Sequence, residues 1–207
     1  MKERSLFYQE TVDNLFEEFF ENQKEAPSEI IHVTCTGYVS PSAGQKIIPK
    51  KKWEDKTGFT QVYHMGCFAA MPAIKIARGL TEKNHVDIVH TELCSLHLDP
   101  MAQSPEQAVV QTLFSDGAIK YSLYSEDSVN KVSEGISILE MKEKIIPGSE
   151  DAMTWGFGEN NLQMTLHRTV PSLIKENLEK FIRDLFSASC LDKKKKKERT
   201  IFAIHPG

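Results

Sequence analysis

Apolar and polar positions alternate along this chain with periods that change from segment to segment. Residues 5–24 read as an amphipathic helix, with Leu6, Val12, Leu15, Phe16, Phe19 and Phe20 forming an apolar stripe between acidic residues. "EAPSE" breaks it, and "IIHVTC", 30–35, is a β-branched strand. "TGYVSPSAGQ" reads as a turn-rich loop, and "KKKWEDKTGF" as a polar, exposed stretch. A short strand then leads into an apolar helix over 67–79, closed by Gly79.

"HVDIVHTELCSLHL" is a strand of mixed apolar character. "SPEQAVVQTLF" carries a helix start, with Ser104 as cap and Pro105 in the first turn. "SDGAIKYSLYSE" is a turn followed by a strand, and the polar "EDSVNKVS" marks a boundary. Beyond it, "ISILEMKEKIIPG" reads as a strand ending at Pro147, "MTWGFGENNLQMTLH" as a hairpin and "VPSLIKENLEKFIRDLFSAS" as a helix. "KKKKKER" is a solvated charge run before a last strand, "TIFAIH". The alternation of helices and strands predicts a layered α/β fold.

Composition narrows the functional classes. The 207 residues are 40% hydrophobic and 26% charged, with a net charge of −4, which argues against a nucleic-acid-binding surface. No apolar run has the length of a membrane span, and the charged N-terminus lacks the pattern of a signal peptide. Cys35, Cys67, Cys94 and Cys190 show no C-x-x-C pairing, so they read as free thiols of a cytoplasmic protein. The seven histidines show no zinc-site spacing, and no metal is expected.

Candidate chemistry centres on "YHMGCFAAMPAIKIARGL", 63–80. Cys67 follows Gly66 at the start of an apolar helix, where the helix dipole favours thiolate. The alternative is a small apolar core residue, as free cysteines often are. A nucleophilic cysteine needs a base or electropositive neighbour. His205, in "FAIHPG", stands at a strand end, where open α/β sheets place their sites.

These segments carry a family resemblance. "YHMGCFAAMPAIKIARGL", "DIVHTELCSLHLDP", "VVQTLFSDGAIKYSL", "MTLHRTVPSLIKENLEKFI" and "FAIHPG" resemble, in order and spacing, the type III polyketide synthases, the chalcone and stilbene synthase family in its bacterial form. The likeness runs from about residue 30 to Gly207. It implies a thiolase-like fold of α-β-α-β-α layers, incomplete at both ends. Residues 1–126 would lie in the N-terminal half with the cysteine, and 127–207 at the start of the C-terminal half with the histidine.

The resemblance implies that an acyl group passes from acyl-CoA to Cys67. Decarboxylative condensation with malonyl-CoA and cyclisation would follow, giving a small polyketide or pyrone. Both CoA thioesters are substrates, and no cofactor is implied. Cys67 matches the family's nucleophile and His205 its histidine. Phe114 matches an aromatic gate, and Met164 stands where plant enzymes carry a second one. Cys35, Thr36, Cys94 and His97 fall at cavity-lining positions, with ordinary strand packing as the alternative for each. The family's catalytic asparagine has no counterpart, and the chain reads as a central portion of a synthase, with a second copy of itself as the expected partner. Two other readings remain: a carrier-protein-dependent ketoacyl synthase of the third type, and a non-catalytic remnant that binds acyl-CoA or a partner.

Overall fold

The computed structural model describes residues 2–81, 84–131, 134–189 and 200–204. Among them the chain forms two compact units that interleave in sequence. One comprises Met1–Ala102, Phe114–Glu134 and Gly156–Gln163; the other comprises Gln103–Leu113, Gly135–Trp155 and Met164–Gly207.

The first unit is built on a four-stranded sheet in the order β2-β1-β3-β4. Strands β1 (Glu29–Thr34), β2 (Gly58–Tyr63) and β3 (Val86–Glu92) run parallel, and β4 (Gly117–Leu123) pairs antiparallel with β3. Both faces of β1 are buried, as an internal parallel strand requires. Because side chains alternate across a strand, Ile30 joins one core cluster and Ile31 and Val33 the other.

Helix α1 (Lys2–Phe20) covers the first face with Tyr8, Val12, Phe16 and Phe20, spaced four residues apart and nearly inaccessible to solvent. The expected stripe shifts accordingly: Leu6 is exposed, and Tyr8 takes the core position. The Tyr8 hydroxyl meets the Thr91 hydroxyl at 3.2 Å, and a Cβ at Gly37 would collide with its ring.

Two expectations fail between β1 and β2. The loop read at 36–45 contains the start of α2 (Ala43–Lys50). Ser42 caps this helix, and its own N–H donates to the Gln45 side chain, forming a capping box that outweighs the turn-forming composition around it. The polar stretch after it is not uniformly exposed. Trp53 is buried against Phe20, with ring centroids 5.9 Å apart, and Gly58 opens β2. Lys46 pairs with Asp13 of α1 at 2.6 Å, so α2 lies on the α1 face.

Helix α3 (Ala70–Arg78) covers the opposite face. Its buried stripe is Ala69, Ala73 and Ala77, while Phe68 and Ile76 are exposed. The small alanines make the buried sheet contact, with Ile74 packed partly buried beside them.

The second unit contains α4 (Pro105–Leu113), the base of the β5 (Met153–Phe157)–β6 (Leu162–Leu166) hairpin, and α5 (Val170–Ala188). Ser104 accepts from the Gln107 N–H at 3.2 Å, as its expected capping role requires. Gln107 and Glu106 of α4 bind the Met164 carbonyl and the Leu166 N–H at 2.7 and 2.6 Å. The strand expected over 136–147 is absent: these residues have no regular structure, and Ile136 and Ile145 are more than nine-tenths exposed. Apolar alternation cannot make a strand without an adjacent strand to pair its backbone. Residues 200–204 are likewise irregular, and the lysine run at 193–199, Cys190 and His205 lie outside the described residues. No helix among the described residues is long and apolar enough to cross a membrane.

The core supplies a pH prediction. His32 is fully buried, with Nε2 2.9 Å from the Thr91 hydroxyl, and burial pulls its pKa from 6.5 to about 3. The unfolded chain binds this proton first, so stability falls as pH drops from 6.5 towards 3. Urea unfolding should show a loss of roughly 1 kcal/mol per pH unit across that window. His32→Gln should flatten the slope; an equally steep slope would exclude His32 as its source.

Candidate active site

The sheet topology creates the site. After β1 the chain turns into α2 on one face, and after β2 it turns into α3 on the other. Neighbouring parallel strands whose connections leave towards opposite faces open a crevice at their C-terminal ends. Cys35 and Thr36 follow β1, Cys67 follows β2, and Cys94 and His97 follow β3 in the short helical turn Cys94–His97.

The turn after β2 is sharp. His64 and Gly66 both have positive φ, +57° and +76°, a region glycine enters at little cost. Residues 67–69 form a turn that feeds α3, with the Ala69 N–H on the Gly66 carbonyl at 3.1 Å. Cys67 is exposed and stands just ahead of the helix, close to its expected place. The Gly66 N–H donates to Cys35 Sγ at 3.2 Å, which joins the exits of β1 and β2.

Glu92, at the end of β3, organises the β1 exit. Its carboxylate accepts the Cys35 N–H on both oxygens, at 2.9 and 3.1 Å, and the Thr36 hydroxyl at 2.8 Å. The Thr36 hydroxyl oxygen accepts the Leu93 N–H at 2.9 Å. Burial pushes the Glu92 carboxyl above its usual value, against the pull of these donors.

The electrostatics correct one expectation. The thiols of Cys35, Cys67 and Cys94 are all held above their ordinary value, first by loss of water and next by the Glu92 charge, with Cys94 pushed up to about 12. A hydrogen bond from its own N–H pulls the Cys67 thiol down, but not far enough. The helix start therefore does not by itself make Cys67 a thiolate, and the Glu92 charge opposes its ionisation further.

The hairpin tip lies in the same unit. The Phe157 ring stacks on His64 at 6.2 Å and packs beside Tyr38 at 5.7 Å, and the Tyr38 hydroxyl is hydrogen-bonded to His64 Nδ1. Asn161 and Leu162 are buried, and both bond to His97.

Five of the sequence-predicted residues, Cys35, Thr36, Cys67, Cys94 and His97, are thus gathered at one strand-end crevice. Phe114 is half-buried in the turn before β4, two residues from Asp116, which binds the Ser95 N–H and hydroxyl at 2.8 and 2.7 Å. Met164 is buried on β6 in the second unit. Glu92, Tyr38, Phe157 and Asn161 escaped the sequence reading; the signal for Glu92 is a carboxylate at the C-terminal end of a largely buried strand. Among the described residues no group of three His, Cys, Asp or Glu side chains is placed to hold a metal ion.

Comparison with known proteins places this arrangement among relatives. No family model matches the chain. It is 26% identical over 188 residues to a probable polyketide synthase 1 of Dictyostelium discoideum, covering 86% of this chain and 6% of that protein. It is 28% identical to bisdemethoxycurcumin synthase of Oryza sativa subsp. japonica, over 76% of this chain and 40% of the relative. A putative chalcone synthase of Bacillus subtilis is 25% identical, over 92% of this chain and 53% of the relative.

The C-terminal type III polyketide synthase domain of Steely1 from Dictyostelium superposes with a TM-score of 0.74 at 20% identity, over 90% of this chain and 54% of that one. The 1,3,6,8-tetrahydroxynaphthalene synthase of Streptomyces coelicolor superposes with a TM-score of 0.78 at 20% identity, over 93% and 56%. The chain therefore has the thiolase-like α/β fold of the type III polyketide synthases. It spans about half the length of the solved synthases and 53% or less of the curated relatives.

Replacing Glu92 tests the electrostatic account. Glu92→Gln should lower the thiol pKa of both Cys67 and Cys94, read by iodoacetamide labelling of each peptide against pH. It should also cost about 1–3 kcal/mol of stability through the lost charged acceptor. Thiol titrations unchanged by the substitution would contradict the assignment.

Proposed function

We propose that this chain is the nucleophile-bearing portion of a type III polyketide synthase. The observation that carries the reading is Cys67, presented on a glycine turn at the β1–β2 crevice, in a chain whose relatives are polyketide and chalcone synthases. In this reading residues 1–126 lie in the half of the fold that holds the cysteine, and 127–207 open the half that holds His205. The enzyme acts as a cytoplasmic homodimer.

The Cys67 thiolate attacks the carbonyl carbon of an acyl-CoA thioester. A new C–S bond forms, the bond to CoA sulfur breaks, and CoA leaves with the electron pair and takes a proton. Malonyl-CoA then loses carbon dioxide, and its carbanion attacks the Cys67 thioester. The C–C bond forms as the Cys67–acyl bond breaks and thiolate is regenerated. Cysteine suits both steps, since its thiolate is a strong nucleophile and a competent leaving group. His205 would supply a positive charge that favours the Cys67 thiolate, and would donate to the oxygen that gains charge. Phe114 and Met164 would shape the path of the acyl chain, with Cys35, Thr36, Cys94 and His97 around it.

Intact mass spectrometry after incubation with a medium-chain acyl-CoA tests the reading. The expected result is one added acyl mass, absent from Cys67→Ala and much weaker with the same acyl group on a carrier protein. Preference for the carrier protein would instead favour a ketoacyl synthase. Absence of Cys67-dependent acylation from either donor would leave a non-catalytic remnant as the better reading.

A further inference from the structure

His97 stands where a cavity-lining side chain is expected, yet both of its ring nitrogens are engaged by backbone groups. Nε2 lies 2.8 Å from the Thr36 carbonyl oxygen, an acceptor only, so Nε2 carries the proton. Nδ1 lies 3.1 Å from the Leu162 N–H, a donor only, so Nδ1 carries a lone pair. The His97 carbonyl accepts the Asn161 side-chain N–H at 2.9 Å. The two partners fix one state of the ring: neutral, with the proton on Nε2.

These bonds join three pieces of chain at the crevice. Thr36 belongs to the β1 exit, which Glu92 holds and which reaches the Cys67 turn through Cys35 Sγ and the Gly66 N–H. Asn161 and Leu162 belong to the hairpin tip, and both are nearly inaccessible to solvent. Phe157 of the same tip stacks on His64, three residues before Cys67.

We infer that His97 is a positioning residue whose neutral ring fastens the hairpin tip to the strand-end turn that carries it, and that protonation of the ring releases the tip. The imidazolium has an N–H on both nitrogens, so Nδ1–H would confront the Leu162 N–H and that bond would be lost. The surroundings favour the neutral ring at ordinary pH. Burial lowers the His97 pKa from its usual 6.5, the Thr36 carbonyl opposes this, and Arg4 of α1 adds to the lowering. Arg4 donates to the Leu96 carbonyl beside the ring. Other titratable groups around the turn are Glu92 on β3, Cys35 at the β1 exit, Asp116 before β4 and Cys94 on the turn itself; the hairpin tip presents the uncharged Asn161 to His97 and also carries the exposed Glu159.

The inference takes Cys67 as the nucleophile from the proposed function, but its test reads neither acylation nor turnover, so the two can fail separately. Amide hydrogen exchange of residues 158–163 is measured in the 207-residue chain at pH 7 and pH 4, corrected for intrinsic rates. Amides of β1 serve as the internal control for global folding. The unsubstituted chain should lose protection at 158–163 by tenfold or more at pH 4. His97→Gln keeps a donor for Thr36 and an acceptor for Leu162 without a titratable proton, and should stay protected at both pH values. His97→Ala should be unprotected at pH 7. Protection in the unsubstituted chain that is unchanged between the two pH values would overturn the inference. So would an acid-induced loss in His97→Gln equal to that of the unsubstituted chain.

Discussion

The parallel pairing of β1 between β2 and β3 is the constraint on which the rest of this structure depends. Glu29–Thr34 align with Gly58–Tyr63 on one side, and Glu29–Val33 with Val86–His90 on the other. That register brings three C-terminal strand ends level. It also requires helices on both faces, because every side chain of β1 beyond Glu29 is buried. Cys35, Cys67 and Cys94 meet because each follows one of these strands, and not because they are near in sequence. A slip of one residue would turn Ile31 and Val33 away from the α3 face and separate the thiols.

The crevice is electrostatically unfinished among the described residues. Glu92 fixes the β1 exit with strong acceptor bonds, and its charge and the surrounding protein make every nearby thiol harder to ionise. A cation aimed at Cys67 would counter that bias. The resemblance to the type III polyketide synthases supplies a candidate in His205. The same bias keeps Cys35 and Cys94 as thiols, so an added cation would act selectively where its geometry reaches.

Much of this was legible in the chain itself. The β-branched run at 30–35, the cap at Ser104, the hairpin around 153–167 and the long helix after Val170 all appear where local pattern predicts them, because their signals are local. Helix α2 was obscured because Ser, Pro, Ala and Gly look like a loop until the Ser42–Gln45 box is weighed. Trp53 was obscured by the charges around it, although one large ring can be buried while its neighbours stay in water. The strand read at 136–147 failed for the opposite reason, since its alternation is real but no strand among the described residues pairs with it. Of the site, Cys67 was legible from its glycine and the helix behind it. Glu92 and the engagement of His97 by backbone groups were not, because both arise from register between distant segments.

The ionisation of Cys67 is the most direct test of this site. Its thiol pKa should be measured by pH-dependent alkylation in the unsubstituted chain and in His205→Ala. The account predicts a value above the ordinary 9.0 in His205→Ala, where only the surroundings described here act, and a value lower by a unit or more when His205 is present. Equal values in the two proteins would contradict it, and would remove His205 from the site.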